Sequence, residues 1–191
     1  MIIKDYSVSQ EKFTLVYDSL LELYRTNPVP DELGKYYESE TYISHTDSRK
    51  TLFDRLYQWV KSYNLKHKIA LIKQYKKENM QLLDIGAGTG DFVLSSKKYA
   101  HWEAIGIEPS EKARTKAEEK GLLLQANFDQ LLPHSFDVIT MWHVLEHVPD
   151  VAQEIQIISN LLKENGIAVI AVPNYRSWDA QHYKEHWAAY D

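Results

Sequence analysis

The 191-residue chain contains no cysteine. Disulfides and thiolate metal sites are excluded, and no metal centre is expected. No apolar run approaches the ~18 residues that a membrane-crossing helix needs. The first residues, Met-Ile-Ile-Lys-Asp-Tyr, lack the apolar core of a signal peptide. These absences lead to the expectation of a cytoplasmic protein with no membrane partner. Positive charge is not in surplus either: 22 basic and 27 acidic residues give a net charge of −5. That opposes nucleic-acid binding driven by bulk charge, and no nucleic-acid partner is expected. Internal repeats and low-complexity tracts are also lacking. Glycine is scarce at seven residues, yet Gly86, Gly88 and Gly90 stand within five positions.

What is present divides at about residue 80. Residues 1–45 read as an N-terminal segment or lid, and residues 46–191 as the main domain. Between Val8 and Tyr24 a short strand followed by a helix is expected. Pro28 and Pro30, beside Asn27 and Asp31, mark a turn. Thr46 or Asp47 can cap a helix whose Leu52, Leu56, Trp59 and Val60 share one face. A second helix is expected from about Leu65 to Lys77, with Ile69, Ile72 and Tyr75 inward. Its lysines, Lys66, Lys68, Lys73, Lys76 and Lys77, read as a solvated face.

From residue 81 strands and helices alternate. The strands are Gln81–Ile85, Trp102–Ile107, Leu122–Leu124, Phe136–Met141 and Ile167–Val172. Helices follow Gly90, Ser110 and Pro149; Gly121 ends the second and Asn165-Gly166 the third. The last strand is nearly all apolar and is expected to be buried on both faces. Alternation of this kind implies an α/β fold, a parallel sheet with helices on both sides.

A strand, a glycine loop and a helix form the arrangement that receives a nucleotide-like ligand. Glycines allow close backbone approach, and the helix N-terminus offers free N–H groups. Here the loop reads Gly-x-Gly-x-Gly rather than the Gly-x-Gly-x-x-Gly of dinucleotide folds. Asp84 stands two residues before it, where a carboxylate suits a cationic amino-acid group and not a pyrophosphate. Glu108 ends the next strand and can accept from both hydroxyls of a ribose. Asn127-Phe128 follows the third strand, where an amide and a ring could read and stack on an adenine.

The stretches LLDIGAGTGDF, IGIEPS and FDVITMWHVLEHVPD resemble, in order and spacing, the nucleotide-binding half of class I S-adenosylmethionine-dependent methyltransferases. They are most like the small-molecule group that includes the ubiquinone-biosynthesis O-methyltransferases. The resemblance covers about residues 80–175. It implies a Rossmann-like three-layer sandwich with a mostly parallel sheet, S-adenosylmethionine as cofactor, and methylation of a small-molecule acceptor on oxygen or carbon. A domain that binds this cofactor or S-adenosylhomocysteine without turnover would need the same residues. The implied cofactor-binding set is Asp84, Gly86, Ala87, Gly88, Gly90, Asp91, Phe92, Glu108, Pro109, Asn127, Phe128, Trp142 and His143, with Asn127 where the family usually has Asp. His143 and His147, beside Glu146, are the candidate general bases. Residues 36–65 resemble the lid of a subgroup that often begins with a cysteine-rich knuckle, here without its cysteines. Tyr42 and His45 in that lid are candidate substrate contacts. Trp187, in a C-terminal cluster with His182, His186 and Tyr190, is a third.

The family sheet has seven strands, and five are legible here. The expectation is a sheet without its last two strands, in a partial or short form of the protein. Strand Ile167–Val172 would then be an exposed apolar edge, through which two copies could pair as a homodimer.

Overall fold

A computed structural model describes residues 1–6, 9–30, 52–75 and 79–190. The chain opens on a three-stranded antiparallel sheet of β1 (Ile2–Lys4), β2 (Lys12–Asp18) and β3 (Leu23–Thr26), in that order. The helix expected before Tyr24 is therefore absent from the described residues. Its place is taken by a hairpin. The Asp18 carboxylate accepts from the N–H groups of Leu20 and Leu21, which turns the chain back on itself. β2 then pairs with β3 from Leu15↔Thr26 to Asp18↔Leu23.

The described residues up to 30 and those from Pro173 onward form one compact unit; residues from 52 to Val172 form a second. This differs from the expected division, in which everything after residue 45 is one domain. Pro173 follows the last strand, and the segment after it packs within the first unit. Tyr175 meets Tyr24 edge-on at 5.1 Å, the Arg176 guanidinium lies 3.6 Å from Glu22, and His186 lies against Tyr6. That segment includes α5 (Trp178–Tyr183), and Trp187 lies in the same unit.

The second unit starts with α1 (Leu52–Lys73), one unbroken helix of 22 residues where two were expected. Ile69 and Ile72 are buried as anticipated, whereas Leu56, Trp59, Val60 and Tyr75 are exposed. Thr46 and Asp47, the expected caps, lie outside the described residues, as do Lys76 and Lys77. β4 (Gln81–Ile85), α2 (Asp91–Ala100), β5 (Glu103–Ile107), α3 (Glu111–Glu119), β6 (Phe136–Trp142), α4 (Val151–Leu161) and β7 (Leu162–Ala171) follow. The sheet order is β5-β4-β6-β7, with every pairing parallel. The chain leaves the centre at β4, runs out to β5 and returns to β6. The crevice at that reversal, outside the carboxyl ends of the strands, is where open α/β sheets take ligands.

Side chains alternate across the sheet and bury two separate cores. Leu82 faces a cluster with Ile69, Ile72, Phe92, Val93 and Ala117 from α1, α2 and α3. Its neighbour Leu83 faces the other side, with Ile139, Met141, Ile158 and Leu161, the last two from α4. Helices thus cover both faces, which makes three layers. Full burial of each Leu or Ile contributes roughly 1.5–3 kcal/mol.

Two sequence expectations about strands change. Leu122–Leu124 forms no strand; pairing there is reduced to one parallel bridge, Ile107↔Gln125. β7 is not buried on both faces. None of its residues is buried, and among the described residues it pairs with β6 alone. It begins directly after α4, and an irregularity between the pairs Phe136↔Leu162 and Val138↔Ile167 absorbs Asn165-Gly166, with Asn165 at φ 63°. No described helix is long and apolar enough to cross a membrane.

Candidate functional site

Because all four strands are parallel, their carboxyl ends bring three turns together: 86–90 after β4, 108–110 after β5 and 143–147 after β6. Gly86, Gly88 and Gly90 have φ values of 70°, 55° and 77°. L-residues with a side chain pay for this left-handed region, so the loop needs glycine. A Cβ at Gly86 would lie 2.4 Å from Val144, and one at Gly90 would lie 2.3 Å from Leu122. At Gly88 a Cβ would meet nothing within 4 Å. Two glycines are thus fixed by packing, and the middle one borders open space.

Glu108 is joined to that middle glycine. The Gly88 N–H donates to Oε2 at 2.8 Å, and the Ser110 N–H donates to Oε1 at 2.9 Å. Ser110 in turn caps α3 by accepting from the Ala113 N–H. Ala87 N–H donates to the Ile107 carbonyl, so β5 and the loop are tied at two successive residues. Arg114 reaches back from α3 to the carbonyls of Glu108 and Pro109. The carboxylate is therefore preoriented, with lone pairs left for further donors.

Asp84 lies beneath the loop and is 3% exposed. Its Oδ1 accepts from the Thr140 hydroxyl at 2.6 Å. Burial pushes its carboxyl from 3.8 up to about 7; the Thr140 bond and the Lys68 ammonium pull it down, and Glu108 adds to the rise. Lys68, read from the sequence as a solvated lysine, instead faces this site. Its ammonium lies 4.3 Å from the centre of the Trp142 ring and 5.9 Å from that of Phe92. Burial lowers its pKa, and Asp84 partly restores it. The indole N–H of Trp142 is buried and has no hydrogen-bond partner among the described residues.

The remaining expected residues divide. Phe92 is a core residue, 5.6 Å edge-on from Trp142, rather than a free lining surface. The Asp91 carboxylate is engaged by Lys61, Lys120 and Thr89. Asn127 is exposed, and its carbonyl accepts from the Asp129 N–H, a local turn. Phe128 packs against the second core. A shallow groove of about 740 Å³ runs beside β5 and Leu123–Gln130; of the expected set, only Asn127 lines it. His143 is exposed at φ 58°, its N–H donating to the Ala171 carbonyl and its Nδ1 3.5 Å from Glu146. His147 has a lowered pKa, chiefly through desolvation; Glu146 opposes the shift and His143 adds to it. Tyr42 and His45 lie outside the described residues.

Sequence reasoning missed Thr140 and Lys68. Both carried a signal: Thr140 is a lone hydroxyl in an apolar strand, and Lys68 falls three and four residues from Leu65 and Ile72, on the inward face.

The chain matches the family model described as Methyltransferase domain over residues 54–191. It is 35% identical over 107 residues to a ubiquinone biosynthesis O-methyltransferase of Colwellia psychrerythraea, a match covering 50% of this chain and 43% of that protein. A second such enzyme, from Histophilus somni, is 35% identical over 116 residues, covering 51% and 48%. The chain thus spans about half the length of the curated relatives it matches. A solved structure of an S-adenosylmethionine-dependent methyltransferase from Archaeoglobus fulgidus aligns at a TM-score of 0.52 and 22% identity, covering 64% of this chain and 58% of that one. That likeness concerns the fold.

Proposed function

This chain belongs to the methyltransferase domain family, and from that premise we propose that it transfers a methyl group from S-adenosylmethionine to an oxygen or carbon of a small-molecule acceptor. The observation that carries this reading is the open position at Gly88, bordered by a preoriented Glu108 and underlain by Asp84.

The residues present fit that cofactor. Its amino-acid end is a zwitterion and calls for one anion and one cation; Asp84 and Lys68 are such a pair, coupled electrostatically in the same site. Glu108 has the unused lone pairs to accept from two ribose hydroxyls. Gly88 admits close approach of the ligand where a side chain would intrude. The unpartnered Trp142 indole N–H offers one further donor. When bound, the cofactor supplies an already activated methyl on a sulfonium. What the protein adds is placement: the nucleophile must be held in line at about 3–3.5 Å. His147, held below its usual pKa, is neutral at neutral pH and able to accept an acceptor's proton. His143 stands beside it on the same turn as a second candidate.

The relatives that share 35% identity are named for O-methylation in ubiquinone biosynthesis, which supports an oxygen acceptor on a small molecule. Calorimetric titration with S-adenosylhomocysteine tests the cofactor site, with micromolar binding expected. Incubation with labelled S-adenosylmethionine and a panel of phenols and catechols tests the reaction. Cofactor binding with no methyl transfer to any panel member would remove the acceptor assignment and leave a binding domain.

A further inference from the structure

The glycine loop has an outer side that the cofactor reading does not use. Asp91, the first residue of α2, is held there by three groups. Lys61 of α1 approaches Oδ2 at 2.7 Å, and Lys120, just past α3, approaches Oδ1 at 3.2 Å. The Thr89 hydroxyl donates to Oδ2 at 2.9 Å, and the Lys120 ammonium also reaches the Thr89 hydroxyl at 3.0 Å and its carbonyl at 3.3 Å. The charged side chains are only 17–27% exposed. That shelter makes these pairs stronger than open surface pairs. Asp91 also stands at the N-terminus of a helix, where a negative charge is favoured.

We propose that Lys61, Asp91 and Lys120 form an ionic clamp that holds the glycine loop in its ligand-ready shape, and that Asp91 is a positioning residue rather than a ligand contact. The argument rests on the cofactor reading of the loop and on the cost of order. Three glycines at positive φ have wide freedom when unrestrained, and freedom lost on binding subtracts from affinity. The inner side of the loop is held through Ala87 and Gly88, by Ile107 and Glu108. The clamp holds the next residue, Thr89, from outside. It also fixes α1: Lys61 lies two turns before Lys68 on the same helical face, so anchoring the first orients the second over Trp142. Both oxygens of Asp91 are committed, which is why it acts through the loop.

Three variants, Asp91→Asn, Lys120→Met and Lys61→Met, test the clamp in the full chain by two readouts. In the ligand-free protein, amide hydrogen exchange at Gly88 and Gly90 is expected to accelerate at least fivefold in Asp91→Asn and in Lys120→Met. S-adenosylhomocysteine affinity, read by calorimetry, is expected to fall about tenfold in Asp91→Asn. Adding Lys120→Met to Asp91→Asn should cost little more, because one network is lost once. Asp91→Glu should restore part of the affinity. Unchanged exchange would overturn the proposal whether or not the ligand binds, which separates it from the cofactor reading. Additive losses, or a loss in Asp91→Asn with none in either lysine variant, would make Asp91 a direct ligand contact and overturn it too. A lowered melting temperature with unchanged affinity and exchange would leave a purely structural role. Should Asp91→Asn fail to fold, the lysine variants carry the same test.

Discussion

The Thr140 hydroxyl donates to the Asp84 carboxylate at 2.6 Å, across positions that face each other in the parallel pairing of β4 and β6. That bond offsets part of the burial cost of a carboxyl raised to about 7. In the unfolded chain the same group titrates near 3.8. Between those values the native state holds the proton more tightly, so Asp84 makes the ligand-free protein lose stability as pH rises from about 4 to about 7. Asp84→Asn should remove this dependence. The variant is expected to be more stable than the parent at pH 8, by on the order of 1–4 kcal/mol, and near parity at pH 4. Urea denaturation at the two pH values reads the difference. A parent and variant that run parallel in pH would rule out the buried, titrating carboxyl.

Binding a cationic ammonium beside Asp84 should lower its pKa and release a proton near pH 7. Calorimetry of S-adenosylhomocysteine binding in buffers of different ionisation enthalpy should show proton release at pH 6.5, absent in Asp84→Asn. Thr140→Val, which removes the bond favouring the ionised form, should move that release to higher pH.

Glu108→Gln replaces one acceptor oxygen with a donor that faces the Gly88 or Ser110 N–H. Affinity for S-adenosylhomocysteine is expected to fall at least tenfold, about 1.4 kcal/mol, with only a small drop in melting temperature. The paired measurement separates ligand binding from loop support.

Gly88→Ala and Gly90→Ala should fail in different ways. Both put a side chain at positive φ, at roughly 1–2 kcal/mol. At Gly90 the new Cβ would also meet the buried side chain of Leu122 at 2.3 Å. Gly90→Ala should therefore show the larger loss of melting temperature. Gly88→Ala should stay closer to the parent in stability yet lose most of its ligand affinity, because its methyl enters the open space.

Lys68→Met removes a partly buried cation whose pKa burial depresses. Stability should hold or rise slightly, since the desolvation cost disappears while the aliphatic stem is kept. Affinity for S-adenosylhomocysteine should fall several-fold. Affinity for 5′-methylthioadenosine, which lacks the amino-acid group, should stay unchanged. Equal losses for the two ligands would place Lys68 away from the amino-acid end.

Much of the second unit was legible because local rules and global packing agree there. Gly86, Gly88 and Gly90 must take left-handed backbone, Ser110 caps α3 through its hydroxyl, and the apolar runs of β4 and β6 are long enough to be strands. The hairpin near Tyr24 was less legible, because Asp18 decides it through a turn bond that no periodicity reveals. The same holds for Asn127, whose carbonyl is taken by a neighbouring N–H.

The sequence by itself determined the loop, the two carboxylates that flank it and the alternation that builds a parallel sheet, since spacing and residue type act along the chain. Tertiary structure decided which side chains meet. It turned Lys68 inward over Trp142, set Thr140 against Asp84, and engaged Asp91 with two distant lysines, one from α1 and one just past α3. Those choices depend on where separate elements pack, and the energy that fixes them comes from burial and charge pairing across the fold rather than from any local preference.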